Sequence, residues 1–153
     1  MGCYIYHSQS YNSTLHPMIK ELWISLPVKD LALSKEFFKR LGFTFHLRHE
    51  TDNSMAGLVM GSKGLMVMLV PVATFETFAR YNASDTGAGT EMLLSFEMDS
   101  RAEVDAMYSL VVAAGGTIFA EPEDQGWMYG FGFADPDWHR WNVLWSDISA
   151  MPG

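Results

Sequence analysis

The side chains able to do chemistry are few and scattered. Five histidines fall at positions 7, 16, 46, 49 and 139. His7 and His16 belong to a polar N-terminal stretch. His46 and His49 are three apart in a segment that reads as a strand. That spacing puts them on opposite faces and disfavours a metal ion shared between them. His139 follows Asp135-Pro136-Asp137, a place where a side chain stabilises a turn more often than it reacts. Ser25 and Ser95 show no His–carboxylate partnership, so nucleophilic catalysis has little support. Cys3, the single cysteine, lies in the terminal stretch and is no candidate nucleophile. Gly130-Phe131-Gly132 is not a phosphate loop, because no helix N-terminus follows it.

The composition narrows the function classes. The chain has 153 residues, 48% of them hydrophobic and 18% charged, and a net charge of −8. That length suits one domain, or two very small ones fused, with a substantial core. Ten Lys plus Arg against eighteen Asp plus Glu argue against a nucleic-acid or anionic-membrane surface, either of which needs a basic face. One cysteine cannot form an internal disulfide, which fits a reducing cytoplasm. The apolar run Leu65–Val72 is far shorter than the roughly 20 residues of a membrane helix. Residues 1–17 lack an apolar signal core and read as a tail. Eleven methionines stand out, as core filler or as an adaptable binding surface.

The elements that must position these residues come in two copies. Leu22, Ile24, Leu26 and Val28 alternate with Trp23, Ser25 and Pro27. Seventy residues later Met92, Leu94, Phe96 and Met98 alternate with Leu93, Ser95 and Glu97. Both read as strands with one apolar face. A polar cap (Asp30, Ser100) and an amphipathic helix follow each, ended by Gly42 and Gly115-Gly116. Three short strands then follow in each copy. The first set is Phe43–His49, Met55–Gly61 and Leu65–Val70; the second is Thr117–Ala120, Trp127–Ala134 and His139–Ser146. The spacing predicts an α+β chain of two βαβββ modules, roughly 19–73 and 90–147, in one domain over 18–150. A connector over 74–89 holds a helical turn at Phe75–Tyr81.

The run Leu26-Pro27-Val28-Lys29-Asp30-Leu31, the helix end Phe37-Phe38-Lys39-Arg40-Leu41-Gly42-Phe43 and the closing Asp135-Pro136-Asp137-Trp138-His139-Arg140-Trp141-Asn142-Val143 together resemble the vicinal-oxygen-chelate superfamily. That superfamily includes glyoxalase I, bleomycin-resistance proteins and extradiol dioxygenases. Gly126-Trp127-Met128-Tyr129-Gly130 is similar to a glyoxalase-related bacterial branch within it. The similarity covers residues 19–147. It implies a curled mixed sheet around a cleft with helices outside, and a homodimer that hides strand edges. Metal-dependent members place one ligand on each of four strands. The resemblance carries those positions to Trp23, Met68, Leu93 and Asn142. Of these only Asn142 offers an oxygen suited to a hard cation, so the resemblance implies a lost metal site and no cofactor.

What remains is a cleft expected to hold a small molecule. Trp23, Ser25, His46, Met68, Leu93, Ser95, Trp127, Tyr129 and Asn142 are its expected lining, with Trp127 and Tyr129 at its mouth. His46 shares its side of the strand with Thr44 and Arg48. Met60, Met66 and Met68 end the first module near the cleft, while Met92 and Met98 read as helix-facing core. Glu97 is a conceivable general base, or else a solvated rim carboxylate. The expected function is a metal-free protein binding a hydrophobic or aromatic ligand, with the acidic balance favouring a cation. Two other readings stay open: a metal-dependent lyase, isomerase or dioxygenase of glyoxalase type, and a structural or regulatory dimer with a closed cleft.

Overall fold

The computed structural model describes residues 20–49 and 53–152; the tail, with His7, His16 and Cys3, lies outside them. The first alternating run forms β1 (Trp23–Val28), with Leu26 and Val28 buried and Trp23 and Ser25 exposed. Helix α1 (Leu31–Arg40) starts where expected: the Asp30 carboxylate accepts the Leu33 amide at 3.0 Å. The matching helix of the second copy is capped by Ser100, whose hydroxyl accepts the Glu103 amide at 3.2 Å. Both helices close in the same way. Phe43 N–H reaches Phe38 O (3.0 Å) and Gly116 N–H reaches Val111 O (2.9 Å), around Gly42 and Gly115 at φ of 88° and 87°. This six-to-one bond needs a left-handed residue, which glycine supplies without steric cost.

The remaining elements are β2 (Thr44–Phe45), β3 (Ala56–Met60), β4 (Leu65–Pro71), α2 (Val72–Ala79), β5 (Leu93–Glu97), α3 (Arg101–Ala114), β6 (Thr117–Asp124), β7 (Met128–Ala134) and β8 (Arg140–Ser146). Each copy makes a four-stranded mixed sheet, β1-β4-β3-β2 and β5-β8-β7-β6, so β1 and β5 are both edge strands. The first and last strands of each module pair in parallel, Trp23 beside Met66 and Leu93 beside Arg140. The expected α+β chain of two βαβββ modules is therefore present, as two separate sheets that do not close on each other. A continuous core joins them: Phe38 of α1 packs edge-on to Trp141 of β8 (5.4 Å between ring centres), and Phe43 packs against Phe96 of β5 (5.5 Å). The two long helices therefore cover the sheet faces opposite Trp23 and Ser25.

Three elements differ from the sequence reading. The strand expected over Phe43–His49 stops at Phe45. His46 makes a last rung, its amide on Gly57 O at 2.8 Å, before a 3-10 turn over Leu47–His49. With β3 starting only at Ala56, the segment has no further partner, and Leu47 is 83% exposed. The connector helix begins at Val72, directly after Pro71 ends β4, rather than at Phe75. Strand β6 continues past Ala120 to Asp124 through two register shifts; as an edge strand it tolerates Pro122.

The β7–β8 turn fastens the second module to the first. Asp137 Oδ1 accepts the Lys29 amide (2.7 Å) and Oδ2 the Ser34 hydroxyl (2.8 Å). His139 Nε2 lies 2.7 Å from Pro27 O; a carbonyl can only accept, so Nε2 carries the hydrogen. Asp135 holds the turn itself, taking the Asp137 and His139 amides on Oδ1 and the Trp141 indole N–H on Oδ2. His139 is thus a buried turn-stabilising residue, as expected. Burial raises the Asp135 carboxyl from 3.8 to about 6, against the pull of His139 and of its own hydrogen bonds.

Asp137→Ala strands the Lys29 amide and the Ser34 hydroxyl and is expected to cost about 3 kcal/mol, or roughly 6–12 °C in Tm for a domain of this size. An unchanged Tm would show that this turn does not tie the modules together. The Asp135 shift predicts a pH effect of definite sign. The folded state holds the proton more tightly than the unfolded chain. The stability from this group is therefore complete below 3.8 and declines as pH rises to about 6. Asn cannot titrate, so the stability of the wild type relative to Asp135→Asn, from urea unfolding, should fall between pH about 4 and about 7. A constant difference would mean that Asp135 does not titrate in this window.

Candidate functional site

Strand alternation sends Trp23, Met66 and Met68 to the face of the first sheet opposite α1. There they border a cavity of about 1130 Å³, together with His46 and Arg48 after β2, Met55 before β3 and Lys63 in the β3–β4 turn. Parallel pairing sets Trp23 beside Met66, and Met68 beside Ser25 on one flank and Gly57 on the other. Trp23 is 62% exposed whereas Met68 is only 6% exposed, so the indole forms an open wall and the thioether a closed floor. The indole N–H donates to Glu21 Oε2 at 3.2 Å. His46 Nδ1 accepts the Arg48 amide at 3.3 Å, which leaves the neutral ring's hydrogen on Nε2.

Trp23, His46 and Met68 therefore border one cavity; the other expected residues are not with them. Ser25 borders a second cavity of about 360 Å³ at the seam between modules, with Pro27, Phe75, Tyr81, Trp138 and Arg140. Leu93, Ser95 and Asn142 lie on the second sheet, where the Asn142 amide nitrogen reaches Ser95 Oγ at 3.4 Å. That face is partly filled. A Cβ on Gly132 would lie 2.4 Å from the Phe119 ring, so this ring occupies the space a side chain would take. The Arg140 guanidinium in turn sits 4.4 Å from the centre of the same ring. Glu97 is exposed on this sheet and accepts from the Ser146 hydroxyl, the position of a surface carboxylate. Met92 is 47% exposed at the open start of the second sheet, not helix-facing core; Met98 does pack against the core.

Trp127 and Tyr129 border neither cavity. Tyr129 belongs to a stack on the second module, where the Arg101 guanidinium lies 5.2 Å from its ring centre and 4.7 Å from that of Trp145. Arg101 also donates to Asp124 and to Gly126 O (2.9 Å), fastening the β6–β7 hairpin to the start of α3. Its hydrogen bond holds the Asp124 carboxyl below the ordinary value. The Tyr129 hydroxyl donates to Asp105 at 2.6 Å, which raises its pKa.

The metal positions implied by the resemblance separate two and two: Trp23 and Met68 on the first sheet, Leu93 and Asn142 on the second. Their chemistry does not fit a divalent ion. An indole N–H only donates, leucine has no lone pair, and a thioether is a poor partner for hard or borderline cations, which leaves the Asn142 carbonyl. Among the described residues no three His, Cys, Asp or Glu side chains gather in a metal-holding group. No helix of the described residues is long and apolar enough to cross a membrane.

Two mixed sheets built from successive βαβββ modules, with helices behind and a cavity in front, define the glyoxalase-type α+β fold. The sequence profile of the Glyoxalase/Bleomycin resistance protein/Dioxygenase superfamily matches residues 21–143, and the chain belongs to that superfamily. No curated protein matches it in sequence. Among solved structures it is similar to hypothetical protein SA1046 from S. aureus, at 30% identity over 84% of this chain and 95% of that one, with a TM-score of 0.73. It is also similar to protein ATC0852 from Agrobacterium tumefaciens, at 27% identity, 85% and 99% coverage and a TM-score of 0.65. The fosfomycin resistance protein FosX from Mesorhizobium loti shares the fold at 14% identity, with 86% and 97% coverage and a TM-score of 0.61.

The sequence reading missed Lys20 and Lys63 at the first cavity, and named Arg48 only as a neighbour of His46. Lys63 was legible as the tip of a hairpin turn, but the side to which that turn leans was not. The overall acidity suggested a ligand cation. The described lining of this cavity instead holds Lys20, Arg48 and Lys63 against Glu21.

Proposed function

We propose that this protein is a metal-free small-molecule-binding member of its superfamily, acting as a homodimer in the cytoplasm. The observation that carries the reading is the cavity on the first sheet. Its wall and floor, Trp23 and Met68, stand where metal-dependent relatives would place ligands, and neither can serve as one. Indole and thioether together offer a polarizable apolar surface, suited to an aromatic or hydrophobic body. The volume suits a drug-sized molecule. An open cavity of this size also speaks against a dimer whose cleft has filled in. The single cysteine supports a reducing compartment.

The dimer reading rests on the strand edges. Leu22 (66% exposed), Trp23, Met92 and Leu93 (51%) lie at the starts of β1 and β5, one edge strand of each sheet. Exposed apolar side chains along unpaired backbone make a surface that a second copy covers well. Such pairing would set Leu93, Ser95 and Asn142 of one copy across from Trp23 of the other, completing the lining that one chain leaves divided.

Three measurements test this. Protein purified without chelator should carry no stoichiometric Zn, Ni, Fe or Mn; one metal per chain would overturn the metal-free reading. Trp23→Ala should weaken binding of planar aromatic probes about tenfold or more, as loss of one large aromatic contact implies. Leu93→Asp should shift the protein toward monomer in equilibrium sedimentation. A wild type that sediments as a monomer at every concentration would sink the dimer.

A further inference from the structure

We infer that the cavity on the first sheet selects amphipathic anions: ligands with an apolar or aromatic body and one carboxylate, sulfonate or phosphonate group. The inference rests on the proposal that this cavity binds a small molecule. It comes from where the chain puts its charges. The described residues hold all ten Lys plus Arg and sixteen of the eighteen Asp plus Glu, yet three of those cations and one of those acids border this cavity. Random placement on so acidic a chain would give the opposite balance.

The cations are not there to hold the protein together. The ion pairs among the described residues are Arg40–Glu36 and Arg101–Asp124, both remote from the cavity, and no described carboxylate lies within ion-pair distance of Lys20, Arg48 or Lys63. Glu21, the one acid in the lining, takes the Trp23 indole N–H, an arrangement that fixes the apolar wall. Like charges gathered around a common space repel one another, and a bound anion relieves that cost. The three cations come from separate segments: the chain entering β1, the turn after β2 and the β3–β4 hairpin. They share this lining with Met68, Met66 and Trp23, which supply an apolar surface. A ligand that lays its body on the methionines and its charge toward Arg48 and Lys63 meets both halves of this lining. Arginine offers a planar fork and lysine a compact charge, both suited to oxyanions.

The test uses two fluorescent probes with the same ring system and different charge, 8-anilinonaphthalene-1-sulfonate and the uncharged N-phenyl-1-naphthylamine, titrated into the full chain. The sulfonate should bind about tenfold or more tightly at low salt, and the gap should narrow on the order of severalfold as salt approaches about 1 M. Lys63→Glu and Arg48→Glu should each weaken the sulfonate about fivefold or more without changing the neutral probe. Lys29→Glu, an exposed lysine outside the lining, should change neither, and Trp23→Ala should weaken both. Equal or tighter binding of the neutral probe, or sulfonate affinity indifferent to both charge reversals, would overturn the anion preference and leave the binding-protein reading standing. Saturable binding of neither probe would overturn the binding reading itself, and the inference with it.

Discussion

Asp137 accepts a backbone amide from the end of β1 with one carboxylate oxygen and a buried serine hydroxyl from α1 with the other. A charged acceptor held this way is costly to bury and costly to orphan, so neither module relaxes independently at this point. His139 adds a bond to Pro27 O, and Asp135 fixes the loop from within. The partners lie at the junction of β1 and α1, and β1 carries Trp23 toward the cavity. The position of the cavity wall is thus set partly from the second module, more than a hundred residues away in sequence. Phe38 against Trp141 and Phe43 against Phe96 extend the same junction through the core, where flat rings meeting edge to face leave little freedom to slide.

Duplication supplies two equivalent faces, and the structure uses them differently. On the first sheet, Met68 sits beside Gly57 at the cavity floor, and α2 packs against β1 and β4. On the second, the space at Gly132 is taken by Phe119, and Arg140 stacks on that ring. The cation on the second face is spent on an internal contact, while those of the first border open space. The same backbone plan therefore yields one face that borders a large cavity and one more closed. The difference lies in a few side chains at matching positions, which the repeat alone could not reveal.

Period-two alternation and helix caps were fully legible, because they are local. Asp30 and Ser100 cap where the pattern says, and Gly42 and Gly115 take the left-handed conformation that the closing bonds require. Membership in the superfamily was legible for the same reason, since its motifs are turns and helix ends. What was not legible depends on partners distant in sequence. Phe43–His49 alternates like a strand but runs out of neighbour after one further rung. Met92 has the periodicity of a core residue, yet it precedes the point at which the helix covers its strand. Trp127 and Tyr129 looked like rim aromatics, but the Arg101 stack claims Tyr129 on the far side of the module.

The charge distribution makes the strongest case for reading a site locally. A net charge of −8 describes the long-range field, which at physiological salt is screened beyond roughly 8 Å. A ligand inside the cavity lies within that distance of its lining and senses Lys20, Arg48 and Lys63 against Glu21 far more than charges elsewhere on the chain. The acidic exterior and the basic cavity thus act on different steps. The net charge acts on whatever approaches from a distance, whereas the lining acts on a solute already inside the cavity. A methionine floor adapts to the shape of an apolar body, whereas cations in the lining do not adapt to the sign of a charge. On the proposed reading, such a cavity is permissive about ring shape and strict about the sign of charge.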